Sequence, residues 1–125
     1  MHRSRLGVVL IDVDEPDHDK ALPFWTTALG ATATQGKRHP ECHEMSSPGV
    51  PLEMLFQRVA APSRLHLDIQ TDDVEAEVAR LEAAGAGKVD LIDGWQVMRD
   101  PAGLLFCVVP VPAGVLDDGN SVAWP

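Results

Sequence analysis

The hydrophobic period changes several times along the chain. Residues 6–13, Leu-Gly-Val-Val-Leu-Ile-Asp-Val, form a run rich in β-branched side chains, and such a run predicts a strand. From residue 14 the period turns helical, with Ala21, Trp25, Ala28 and Leu29 recurring on one stripe. Gly30 is placed to stop this helix, and Asp17 or Asp19 to cap its start. Pro23 interrupts the pattern, because proline removes one helical hydrogen bond and crowds the carbonyl four residues back. A late start or a kink is therefore expected. Residues 31–34 and 41–46 are weaker strand segments around a polar loop with Lys37, Arg38 and Pro40. Pro48 and Gly49 mark a turn before a stronger strand at 52–59, and residues 60–63 form a linker.

The pattern then repeats. Residues 64–70 alternate, with Leu65, Leu67 and Ile69 on one face and His66, Asp68 and Gln70 on the other. Val74, Val78 and Leu81 make a helical stripe that Thr71 or Asp72 is placed to cap and Gly85 to end. Strands are expected at 88–92, 95–99 and 104–109, the last two joined by a tight Asp-Pro-Ala-Gly turn at 100–103. Residues 111–125, rich in Pro, Gly and Asp, read as a loop or a fraying tail. The fold class is thus α+β: two βαβββ repeats, about 5–59 and 64–110, in a single domain over 1–125. Leu10-Ile11-Asp12 of the first repeat falls on His66-Leu67-Asp68 of the second. Two such sheets, each with a helix outside, are expected to form an incomplete barrel with a concave ligand cavity. If the apolar face of 64–70 lies under its helix, His66, Asp68 and Gln70 point into that cavity, as do Leu10 and Asp12 by the repeat. Met54 and Phe56 suit the helix side of their strand, which leaves Glu53, Leu55 and Gln57 inward.

Composition narrows the partners. A net charge of -9 and a pI near 4.8 oppose nucleic acid and anionic membrane surfaces, which need clustered Lys and Arg. A small neutral or cationic molecule fits better. Two cysteines without a C-x-x-C spacing form no disulfide framework and point to a reducing compartment. The apolar run at 6–11 is too short for a signal-peptide core. A cytoplasmic protein is the expectation.

Three segments carry a resemblance. "PFWTTALGA" resembles the F-W-x-x-x-L-G helix end of glyoxalase-like domains. "LEMLFQRV" followed by "RLHLDI" resembles their strand-linker-strand core, and "GWQVMRDPAGLLFCVV" their closing hairpin. Together they span about residues 6–110 and identify the chain as similar to the glyoxalase-like branch of the vicinal oxygen chelate superfamily. That resemblance implies metal ligands on four strands, holding vicinal oxygens of a substrate. Glu53 and His66 match two of the four positions. Val8 or Leu10 stands at the first, where neither can coordinate, and Cys107 at the last, where many members carry Glu.

Two readings of function stay open. In one, the chain is a small-molecule-binding protein lacking a full metal-ligand set, with Asp12, Gln57, Asp68, Trp95 and Cys107 contacting the ligand. In the other, Glu53 and His66 are catalytic residues and ligands of a divalent metal ion in a lyase, isomerase or dioxygenase. A domain serving assembly alone is a third option. The resemblance also implies a homodimer. Trp25 is read as core, and His39, Cys42 and His43 as surface residues of the polar loop.

Overall fold

The computed structural model describes all 125 residues. Its elements run β1 (His2–Asp14), α1 (Glu15–Leu29), β2 (Thr32–Gln35), β3 (Cys42–Ser46), β4 (Glu53–Val59), β5 (Arg64–Thr71), α2 (Val74–Ala83), β6 (Gly87–Ile92), β7 (Trp95–Arg99), β8 (Leu105–Pro110) and β9 (Val122–Trp124). The α+β class and the twofold βαβββ order are both present. Backbone contacts divide the chain into two compact units, Val8–His66 and Met1–Gly7 with Leu67–Pro125.

In the Val8–His66 unit the strands lie in the order β2-β3-β4-β1. The β2/β3 and β3/β4 pairs are antiparallel and β1/β4 is parallel. A parallel pair needs a long crossover, which α1 and the β2–β3 hairpin supply. Ile11 and Val13 of β1, Met45 of β3 and Phe56 of β4 form the core, covered by Ala21, Leu22, Trp25 and Leu29 of α1. Alternation then turns Asp12 to the face of β1 opposite the helix, as the sequence pattern anticipates. Helix α1 begins earlier than expected, at Glu15, and Asp14 precedes it without a side-chain cap. Pro16 explains this start, since its missing N–H costs nothing in the first turn. Pro23 sits inside a helix that continues to Leu29 and closes on Gly30, whose φ of 59° suits glycine.

The second unit repeats the scheme as β5-β8-β7-β6, with β5/β8 parallel. Val78 of α2 packs on Met98 of β7 and Val108 of β8, with Phe106 at the margin. Helix α2 therefore covers β7 and β8. Leu65 and Leu67 of β5, expected beneath it, are 60% and 38% exposed. The cap of α2 is Asp73, which accepts from the Ala76 N–H, and neither Thr71 nor Asp72 serves. Thr71 is otherwise engaged, donating its hydroxyl to the Arg3 carbonyl at 2.8 Å. The 100–103 turn forms as expected, with the Asp100 carboxylate accepting from Ala102 and Leu104. The tail does not fray: β9 pairs antiparallel with β1, setting Trp124 opposite His2. The Trp124 indole N–H donates to Ser4 Oγ at 2.8 Å, and its ring lies 3.8 Å beneath the Arg80 guanidinium. No helix is long and apolar enough to cross a membrane.

Candidate functional site

In the Val8–His66 unit three polar side chains converge at the end of β1. Asp12 is almost fully buried, at 1% exposure. Its Oδ2 accepts from His66 Nδ1 at 2.5 Å, and Arg64 Nε lies 3.5 Å from the same oxygen. Asp12 Oδ1 is also buried and has no hydrogen-bond partner in the protein. A buried carboxylate is tolerated only when paired, and His66 and Arg64 supply that pairing. With the Nδ1 proton directed at Asp12, the imidazole is held in one orientation with Nε2 on its opposite edge. Such an imidazole can accept a proton, donate a hydrogen bond when protonated, or ligate a metal ion.

Strand register places the remaining residues. Gln57 of β4 is level with Asp12, and Glu53 is level with Val8. Glu53 is exposed, and Val8 beside it is a buried apolar residue. Four residues separate these two levels, about 13 Å along the strands at 3.3 Å per residue. In the second unit Asp68 of β5 is level with Cys107 of β8. Asp12–Gln57 and Asp68–Cys107 are therefore the equivalent cross-strand pairs of the two repeats. Gln57, and not Glu53, is the counterpart of Cys107. Trp95, the first residue of β7, is half-buried opposite Ile92 of β6.

The metal set implied by the resemblance can be tested against these positions. Its β1 position falls on Val8 or Leu10, both buried and without a donor atom. Its β4 residue, Glu53, lies at a different level from the Asp12–His66 contact. A shared ion would need both side chains within about 2.0–2.2 Å of it. With no donor atom at Val8 or Leu10, the residues present do not complete the four-strand set.

Two polar residues escaped the sequence pattern. Arg64 begins β5 and shares Asp12 with His66. His18 of α1 is 1% exposed and lies three, four and seven residues before Ala21, Leu22 and Trp25. The buried stripe thus continues back through it, and that spacing was the available signal. His43, expected at the surface, packs its ring against His18 with a centroid separation of 5.5 Å. Burial, and then the nearby His18 and Arg58, push the His43 imidazole below its ordinary pKa. His39 does remain accessible, 41% exposed beside Glu41.

Comparison with known proteins bears on the same segments. The sequence profile of the glyoxalase-like domain matches residues 9–109. No curated protein matches the chain. Among solved structures, a glyoxalase/bleomycin resistance protein/dioxygenase superfamily member from Vibrio splendidus 12B01 is 12% identical, with a TM-score of 0.53, over 82% of this chain and 97% of its own. Methylmalonyl-CoA epimerase from Mycobacterium tuberculosis is 16% identical, with a TM-score of 0.51, over 86% and 88%. The 2,2',3-trihydroxybiphenyl 1,2-dioxygenase from Sphingomonas wittichii strain RW1 is 14% identical, with a TM-score of 0.57, over 88% of this chain but 41% of the enzyme. At these identities the likeness is one of fold.

Proposed function

Because the chain belongs to the glyoxalase-like domain family of the vicinal oxygen chelate superfamily, we propose that it is a small-molecule-binding protein whose polar anchor is the Asp12–His66 couple. The observation that carries this reading is the 2.5 Å contact from His66 Nδ1 to a buried carboxylate. That contact fixes the ring before any ligand arrives, so less orientational freedom is lost on binding. Gln57 stands level with Asp12 on the neighbouring strand, and it adds an amide that both donates and accepts. The acidic balance of the chain, net -9, favours a neutral or cationic ligand over an anion.

A screen of small aromatic and cationic molecules by thermal shift tests the proposal, since a ligand that binds only the folded state raises Tm. Hits are expected to bind at least about tenfold more weakly to His66→Gln and to Asp12→Asn, the loss of about one charge-assisted hydrogen bond. Hits bound equally well by His66→Gln would sink the reading. Metal analysis of protein purified without chelator is the second arm. A stoichiometric ion lost in both Glu53→Ala and His66→Ala would replace the proposal with a metal-dependent lyase, isomerase or dioxygenase. Fold neighbours that are an epimerase and a dioxygenase keep that alternative in view.

A further inference from the structure

We propose that His18 and His43 form a two-imidazole site for a divalent transition-metal ion of the zinc, nickel and copper group. The site lies between α1 and β3, on the helix side of the Val8–His66 sheet, and it uses none of the residues of the Asp12–His66 couple.

Three observations carry it. First, His18 is 1% exposed, yet its Nε2 is buried with no hydrogen-bond partner in the protein. His43 Nδ1 is buried and unpartnered in the same way. A buried ring nitrogen left unbonded is destabilising, and two on adjacent rings call for a shared explanation. Second, the ring centroids are 5.5 Å apart with the planes tilted by 38°. One ion held at about 2.0–2.1 Å by a nitrogen of each ring sets the two centroids about 5–6 Å apart. Third, the opposite nitrogen of His18 is engaged as in metal-bound histidines. Its Nδ1 contacts Asp19 Oδ1 at 3.2 Å, and that same oxygen accepts from Arg58 at 3.0 Å. A carboxylate at Nδ1 fixes the tautomer that leaves the Nε2 lone pair for a metal.

Apolar side chains line the pair. Phe56 meets the His18 ring edge-on at 5.2 Å, and Met45, two residues beyond His43 on the same face of β3, is buried in the adjoining core. Imidazole nitrogens beside apolar walls suit zinc, nickel and copper, and not the hard, oxygen-seeking calcium or magnesium. His43 is only partly buried, and its side is the route of entry.

Titrating the full-length, chelator-treated protein with Zn²⁺ and with Ni²⁺ by calorimetry tests the site. One equivalent is expected to bind, with His43→Gln weakening it at least about tenfold, as loss of a ligand does. His66→Gln should leave it unchanged. Since replacing the fully buried His18 risks unfolding, imidazole ¹H–¹⁵N spectra of the unsubstituted protein provide the second readout. The resonances of His18 and His43 should be the ones that shift, while those of His39 and His66 stay in place. Zn²⁺ binding that survives His43→Gln, a response centred on His39 or His66, or no binding at millimolar Zn²⁺ would each overturn the proposal.

Discussion

At the residue scale, Asp12 and Glu77 are two buried carboxylates held by different means. Asp12 relies on His66 and Arg64. Replacing it with Asn keeps the shape but removes the charge that both partners face. Asp12→Asn is expected to lose about 1–3 kcal/mol, read from urea denaturation, because hydrogen bonds to charged groups contribute more than neutral ones. An unchanged midpoint would contradict the pairing. Glu77 is fully buried in the other unit, where His2 Nε2 lies 2.6 Å from its Oε2 and Arg80 donates to Oε1 at 2.7 Å and to Oε2 at 2.9 Å. Burial alone drives this carboxyl's pKa upward, but hydrogen bonds from Arg80, His2 and Ser4 outweigh it and hold the pKa below its ordinary value. The folded state thus binds this proton more weakly than the unfolded chain does. The stabilisation from Glu77 is complete above the unfolded value and is lost as pH falls through the folded one. Stability of Glu77→Gln, measured by denaturation from neutral pH down into the acid range, should therefore fall less steeply than that of the unsubstituted protein.

At the element scale, propensity sets where α1 and α2 form, and packing sets their ends. The stripe of α1 reads directly from the sequence, whereas its start depends on Pro16, a residue compatible with the first turn. Pro23 leaves one helical carbonyl without its usual donor. Pro23→Ala should restore that bond and raise Tm, with a gain of about 1 kcal/mol, and a fall in Tm would show that Pro23 has a packing role instead. The β9 strand was invisible to composition, because Pro, Gly and Asp dominate the residues before it. What orders it is Trp124, through Ser4 Oγ and the face it offers to Arg80. Trp124→Ala is expected to cost about 1–3 kcal/mol and to expose the backbone amides of His2 and Ser4 to hydrogen exchange. Protection at those amides equal to the unsubstituted protein would show that β9 is held by its backbone alone.

At the scale of the whole molecule, each unit has its own core, one around Phe56 and one around Met98. Yet β1 and β5 are single unbroken strands that contribute residues to both units. Unfolding either unit removes strand from the other, so heating should give one calorimetric transition. Phe56→Ala, expected to cost about 3–5 kcal/mol, should shift that transition as a whole. Two resolved transitions, with only one moved by Phe56→Ala, would show that the units unfold independently. The single-domain expectation from the sequence stands or falls on that experiment.

What the sequence determined by itself was local. Strand alternation has a period of two, so Ile11 and Val13 on the helix side force Asp12 to the other face wherever β1 pairs. Helical spacing likewise defined the stripes of α1 and α2, and the order of elements defined the repeat and the family resemblance. Only the tertiary structure decided register, because pairing joins residues far apart in the chain and a shift of a few residues keeps the alternation intact. Register set Gln57, and not Glu53, beside Asp12. Tertiary packing also decided which strands each helix covers, and so left Leu65 and Leu67 exposed. The same long-range packing brought His43 of β3 against His18 of α1, since neither helical nor strand periodicity carries information across the distance that separates them.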